Sequence, residues 1–236
     1  MNTARKRTRP LHRLEGIIVK AIDYQEYDKL LHVFTKKEGM CALMAKRANH
    51  PKTRGVLPCS PLTHAEFVFE NPEKALPICR EISPISHNLD LRKDIDRLND
   101  ACKMASVLHA TLMPGKGVPL LFDLFKCYLD QLTKSEGSPP IVSSFILKLL
   151  RHEGVFTLPL HCMECQEQLD AFSACDCGFF CSRHAPDKTL SFSGEEQQIL
   201  YLLMYSRQLS SIVEAPVNEL FVRKVEALYK KIQFQS

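Results

Sequence analysis

The chain has 236 residues, 45% of them hydrophobic and 25% charged, a globular composition that excludes a disordered or fibrous polymer and leaves enough length to bury a real core. Its longest apolar stretches, such as Ile141 to Leu150, are broken by Ser143, Ser144 and Lys148, so no membrane span of roughly 18 apolar residues is expected. The net charge of +4 is unevenly spread: Met1 to Arg54 hold 13 Lys and Arg against 5 Asp and Glu, the remainder 18 against 22, which sets a basic module suited to a polyanion before a mildly acidic body.

The basic start MNTARKRTRP runs into Leu11-His12-Arg13 and not into the apolar stretch of a secretory leader, so the chain is expected to stay in the cytosol. From Leu14 to Ser86 the apolar period is that of strands. Leu14 to Ile22, Lys29 to Thr35, Met40 to Ala48, Leu62 to Glu70 and Leu76 to Ser83 are short runs parted by turn-forming residues. In the fourth run Thr63, Ala65, Phe67 and Phe69 fall on one face and His64, Glu66 and Glu70 on the other, the alternation of a half-buried strand whose polar face is expected in water. Five strands in about 75 residues suit a small barrel, of OB type or alternatively SH3-like.

Beyond Ser86 the period becomes helical. Leu91, Ile95, Leu98, Cys102, Ala105, Leu108 and Leu112 recur at steps of three and four, with Asn88 or Asp90 as N-cap, which predicts one long amphipathic helix. Leu120 to Leu132 and Ile141 to His152 are two more. Ser193-Gly194-Glu195-Glu196 has the form of a capping box and opens a helix expected to reach about Val213, and Pro216 starts a last one. The expected fold is therefore α+β, an N-terminal five-stranded OB-type barrel over residues 1–86 and an α-helical body over 87–236.

Between these helices lies a cysteine-rich loop, at about 160–186. Ten cysteines in a reducing compartment point to metal rather than disulfides, although Cys41, Cys79, Cys102 and Cys127 are scattered and read as small core hydrophobes. Cys162-Met163-Glu164-Cys165 and Cys181-Ser182-Arg183-His184 have the spacing of a zinc knuckle, with Cys175 and Cys177 able to replace Cys181 or His184. Four protein ligands leave no open position for water, so the zinc is expected to be structural. His64-Ala65-Glu66 with Cys162-x-x-Cys165 has part of a nucleobase deaminase signature, but His161 stands where that signature needs proline. With no phosphate loop, dinucleotide fingerprint or nucleophile elbow in the sequence, an enzyme is not expected.

Candidate polyanion contacts fall into three groups: Arg5, Lys6, Arg7 and Arg9 in the terminal segment, Lys36 and Lys37 at a turn, and Lys46, Arg47, Lys52 and Arg54 at a strand end and its loop. Cations beside an OB barrel neutralise phosphates and release counterions. Trp is absent, and Phe67 and Phe69 alternate into the core, so the expected binding is led by phosphates with little sequence preference.

In this order the motifs resemble those of the RecO family of bacterial recombination mediators. Leu14-Glu15-Gly16-Ile17-Ile18-Val19 is similar to its opening G-I-V-L strand, Tyr24-Gln25-Glu26-Tyr27-Asp28-Lys29 to its Y-x-E-x-D-[KR] turn, and Phe34-Thr35 through Glu38-Gly39 to F-T-x-x-x-G. Lys46-Arg47-Ala48 with Pro51 to Arg54 resembles its basic loop, although that loop usually has glycine where Arg47 or Ala48 stands. Its second metal pair is commonly C-x₂-C where this chain has Cys181-x-x-His184. Leu89-Asp90 to Leu98, Leu149-Leu150 with Gly154, and Phe172-Ser173 also align. The resemblance implies an OB fold, a helical body with a zinc-knuckle insertion, and binding to single- and double-stranded DNA with strand annealing. It also implies partnership with RecR in loading RecA onto DNA coated by single-strand-binding protein, in the bacterial cytoplasm at the nucleoid. The alternative is a protein-interaction scaffold with no dedicated DNA site.

Overall fold

The structure, a computed structural model, describes residues 10–52, 58–72, 75–134, 139–187 and 189–233. Arg5, Lys6, Arg7, Arg9 and Arg54 lie outside the described residues. The chain divides into two compact units, 1–123 and 124–236.

In the first unit, β1 (Leu11–Tyr24), β2 (Asp28–Thr35), β3 (Gly39–Ala45), β4 (His64–Glu70) and β5 (Ile78–Ser86) form one sheet. It closes on itself in the order β1-β2-β3-β5-β4, with β3 and β5 parallel and every other pair antiparallel. The 14 residues of β1 make the closure possible. Leu11 to Ile17 pair with β4, Gly16 to Tyr24 pair with β2, and the register shifts between Ile18 and Lys20. Gly16 belongs to both ladders, and a Cβ there would press on Val33 Cγ1 at 2.5 Å and the Phe34 carbonyl at 2.7 Å, so the crossing needs glycine. Ile18, Leu31, Val33, Leu43, Ala65, Phe67, Phe69 and Ile82 fill the interior.

The solvated face expected for His64 is not there. His64 is 3% exposed, with Nε2 2.7 Å from Glu15 Oε1 and its ring edge-on to Phe122. Phe122 also covers Phe34. It stands in the first turns of α2 (Pro119–Leu132), so the outer face of β1, β2 and β4 is a second packing surface. That surface explains why Gly16 to Val19 are buried four in a row.

The expected long helix is split. Leu89–Lys93 form a 3₁₀ turn, and α1 begins at Ile95, with Asp94 Oδ1 accepting from the amides of Asp96 (2.9 Å) and Arg97 (3.0 Å). Asp94, not Asn88 or Asp90, is the cap of the α-helix. Asn88 has φ 49° and donates to the Leu62 carbonyl, locking the strand-to-helix connection. The buried stripe of α1 (Ile95–Thr111) is Ala101, Met104, Ala105, Val107 and Leu108, which leaves Ile95 and Cys102 exposed. Cys127 is exposed as well, Cys41 is half-buried, and Cys59 joins Cys79 in the core. Burial pushes the Cys79 thiol up to about 12 and Cys59 to about 11.

His109 of α1 meets His32 of β2 edge-on at 4.4 Å between centroids. Burial, then His109, then Lys20 lower the pKa of His32; burial and Lys20 lower that of His109. A histidine whose folded pKa lies below its unfolded value of about 6.5 takes up its proton first in the unfolded chain. Stability of this unit is therefore expected to be full above pH 7 and to fall as pH drops through 6.5. Urea melts at pH 7.5 and 5.5 should show a smaller difference for His109→Gln than for the parent chain; an equal difference would remove the pair as its source.

In the second unit, α3 (Pro139–His152) is buried along almost its whole length and packs against α4 (Gly194–Tyr205) and α6 (Glu219–Gln233). Two of the polar residues that interrupt its apolar run, Ser144 and Lys148, have a use. Ser144 Oγ donates to the Leu203 carbonyl at 2.6 Å and meets Tyr128 Oη at 2.9 Å, and Lys148 Nζ donates to Tyr128 Oη and, at 2.7 Å, to the Ser206 carbonyl. The Ser193/Glu196 capping box opens α4 as expected, but this helix stops at Tyr205 and a separate α5 (Leu209–Val213) follows. The cysteine-rich loop and the residues just after it hold a small sheet absent from the sequence reading, β6 (Phe172–Cys175), β7 (Gly178–Phe180) and β8 (Leu190–Phe192), in the order β7-β6-β8.

Candidate nucleic-acid interface and metal centre

Lys46, Arg47 and Lys52 sit beyond the end of β3 on a segment that turns back against the β1–β2 turn. The Arg47 amide donates to Asp28 Oδ1 (2.8 Å), the Asn49 amide to the Tyr27 carbonyl (2.9 Å), and Asn49 Nδ2 to Asp23 Oδ1 (2.7 Å). His50 packs edge-on to Tyr27. Arg47 has φ 58°, the left-handed conformation that glycine adopts without strain. The neighbouring carboxylates are already committed: Lys29 at 2.7 Å and then Asn49 hold Asp23 below the usual carboxylate range, and Asp28 accepts the Arg47 amide. Lys46, Arg47 and Lys52 are all exposed. Among the described residues, neither Lys46 nor Lys52 makes an ion pair.

Lys36 and Lys37 are at the other end of the same hairpin. Lys29 pairs with Ala45 and Thr35 with Gly39, so the two basic turns lie about 20 Å apart at strand rise. Lys36 Nζ is bound by both oxygens of Asp123 at 2.8 Å. The turn is also clasped from outside. Pro114 bridges to Gly39, whose φ is 66° and where a Cβ would run into the Lys116 carbonyl, and a Cβ at Gly117 would run into the Lys37 carbonyl. The structure thus separates two groups of cations, of which the sequence already favours the one at the strand end and its loop.

The second constellation lies in the cysteine-rich loop. The Cys162, Cys165 and Cys181 sulfurs and a ring nitrogen of His184 all lie within 4.8 Å of one another. Cys162 Sγ is 3.8 Å from His184 Nδ1, Cys165 Sγ is 3.9 Å from Cys181 Sγ, and Cys181 Sγ is 3.3 Å from His184 Nδ1. A tetrahedral ion with bonds of about 2.3 Å to sulfur and 2.0–2.1 Å to nitrogen would place its ligands about 3.6–3.8 Å apart, so the donor set fits such an ion. Two knuckles present the donors. In the first, the Gln166 amide returns to the Cys162 carbonyl at 3.0 Å with Gln166 at φ 58°; in the second, the His184 amide returns to Cys181 at 3.1 Å. The Met163 amide bonds the Phe179 carbonyl, and Arg183 pairs with Glu167, so the knuckles are tied to β7 and to each other.

Burial of Cys162 opposes its ionisation, but the amides of Cys165, Cys181 and Glu164, with His184, outweigh it and bring this thiol down to about 6. The Cys162 and Cys181 sulfurs in turn raise His184. Cys175 and Cys177 are not members of the group. They face each other at 2.6 Å across the turn between β6 and β7.

Comparison with known proteins gives a consistent picture. The chain matches the family description "Recombination protein O N terminal" over residues 9–87 and "Recombination protein O C terminal" over 92–229. It is similar to the DNA repair protein RecO of Acetivibrio thermocellus, 30% identical over 71% of this chain and 68% of the relative. It is also similar to the DNA repair protein RecO of an Exiguobacterium species, 24% identical over 89% and 84%, and of Chlamydia trachomatis, 31% identical over 56% of each. Among the described residues no helix is long and apolar enough to cross a membrane.

Proposed function

Because the chain belongs to the RecO family of recombination proteins, we propose that it acts in DNA repair as a recombination mediator and not as an enzyme. It binds single- and double-stranded DNA, anneals complementary strands and, with RecR, helps load RecA onto DNA coated by single-strand-binding protein, in the bacterial cytoplasm at the nucleoid. We assign the DNA-binding domain to residues 1–86, including the basic terminal segment, and the helical domain to 87–236 with its zinc loop at about 160–186. The strand order β1-β2-β3-β5-β4 supports an OB-type barrel, a fold that binds oligonucleotides through its strand 2–3 face and adjoining loops.

The observation that carries this reading is the docking of the Lys46–Lys52 segment on the β1–β2 turn, one of the loops such barrels use. Arg54 extends the basic run in sequence. Cys162, Cys165, Cys181 and His184 hold a structural zinc, since four protein donors complete a tetrahedral shell and leave no water to activate.

Annealing needs neither nucleotide hydrolysis nor a nucleophile. Base pairing supplies the free energy, and the protein only lowers repulsion between two phosphate backbones while keeping them together. Complementary oligonucleotides mixed with the full chain at low salt are expected to pair faster than protein-free controls with no nucleotide present. With strands coated by single-strand-binding protein, the acceleration is expected to persist. Pairing no faster than the control, with protein in excess, would replace this reading by that of an interaction scaffold.

A further inference from the structure

The second unit carries an exposed aromatic ladder. Tyr201 and Tyr205 are one turn apart on α4, with ring centroids 4.8 Å apart and planes at 36°. The Arg151 guanidinium, from the last turn of α3, lies 4.4 Å from the Tyr205 centroid. The three groups form a ladder whose inner rungs are occupied and whose outer ring, Tyr201, is 62% exposed. We infer that this ladder is a stacking platform for bases of single-stranded nucleic acid, with Tyr201 as the open step.

Charge favours an anionic occupant over a cationic one, and the tyrosine rings favour bases over an acidic peptide with no rings to stack. The residues one turn before Tyr201 are the uncharged Gln197 and Gln198. Glu196, further back, is paired with Lys224 at 2.7 Å. The C-terminal ends of α3 and α4 meet here, and their partial negative charge would repel a phosphate. Lys148 counters it by donating to the Ser206 carbonyl, and Arg151, with no ion pair among the described residues, adds a second cation. Exposed Arg207 follows two residues after Tyr205. A tyrosine ring accepts any base on its π-face, and the guanidinium beside it can reach a phosphate. The inference rests on the single-strand binding proposed above and adds where the bases go.

The chain has no Trp, so its tyrosine emission can be read directly. Oligo(dT) added to the full chain at low salt should quench that emission, and Tyr201→Ala should weaken binding of the oligonucleotide by about tenfold with the salt slope unchanged. Tyr201→Phe, which keeps a ring, should bind like the parent chain. Arg151→Ala should lower the slope by about 0.7, the contribution of one single-strand phosphate contact. An abasic strand of the same length and a duplex should not distinguish Tyr201→Ala from the parent. If the parent binds oligo(dT) and Tyr201→Ala binds equally well, or if it loses abasic strand and duplex as much as oligo(dT), the platform is wrong while the proposed function stands. If the parent binds no single strand, both fall. The side chain lies mostly in water, so the alanine variant is expected to fold, and an unchanged thermal melt should confirm that.

Discussion

Serine at Cys162 is expected to abolish stoichiometric metal and loosen residues 160–186, while DNA binding by the first unit survives. Cys162 is the buried member of the donor set, and it alone is met by three backbone amides and His184. Its thiol is held near 6, so at neutral pH it is already a thiolate, the form a metal needs. A hydroxyl would stay protonated there and leave the second knuckle without its partner. Binding of structural zinc is worth roughly 10 kcal/mol or more, and in a segment this size that is folding energy. Apart from the packing of Phe172 against Phe179 and Phe192, the loop is held by short strands, β7 and β8 being three residues each. Hydrogen exchange should rise across 160–186, and elemental analysis should fall from about one zinc per chain to none. Acidification to well below pH 6 should release the metal from the parent chain, as protons compete with a tightly bound ion for the same sulfurs. Chain prepared without chelators that carries no zinc would refute the metal assignment.

Spacing alone made this cluster legible, because two short C-x₂-C/H turns leave few ways to bring four donors together. The choice among six candidates was not legible. It depends on β6 and β7, whose hairpin turns Cys175 and Cys177 towards each other and presents Cys181 to Cys162, whose sulfur accepts the Cys181 amide at 3.4 Å. Strands of three and four residues rich in Cys, Gly and Phe show no usable period. The large barrel strands did show one, since their interior is a single alternating face. The error at His64 has the opposite origin: alternation says which residues share a face, and only the tertiary structure says that Phe122 covers the other one. Helical period was likewise enough to find α1 and α4, and not enough to place the start of α1 or the end of α4. Asp94 ends the 3₁₀ turn and caps α1, and α4 closes at Ser206, whose carbonyl is taken by Lys148, a contact between residues 58 apart.

The same distinction decides which cations should matter for DNA. Alanine at Lys46, Arg47, Lys52 and Arg54 together is expected to flatten the plot of log affinity against log salt by roughly one unit per lost phosphate contact, so by up to about four units on duplex DNA. Sequence preference should hardly change, because phosphate contacts carry none. Alanine at Lys36 and Lys37 should change the slope much less. Lys36 is already neutralised by Asp123, and its turn is covered by the loop that brings Pro114 onto Gly39. Arg47 allows a sharper control, since its left-handed backbone makes Arg47→Gly a removal of charge that leaves the turn unstrained. That variant should lose about one unit of slope with an unchanged melting temperature, so a flatter slope cannot be blamed on a disordered loop. Annealing rate at fixed salt should fall in the same order, quadruple variant first, Arg47→Gly next, Lys36/Lys37 last. Should the quadruple variant keep the parent's slope, the phosphate contacts would have to be sought elsewhere, and the first place to remove charge would be Arg5, Lys6, Arg7 and Arg9.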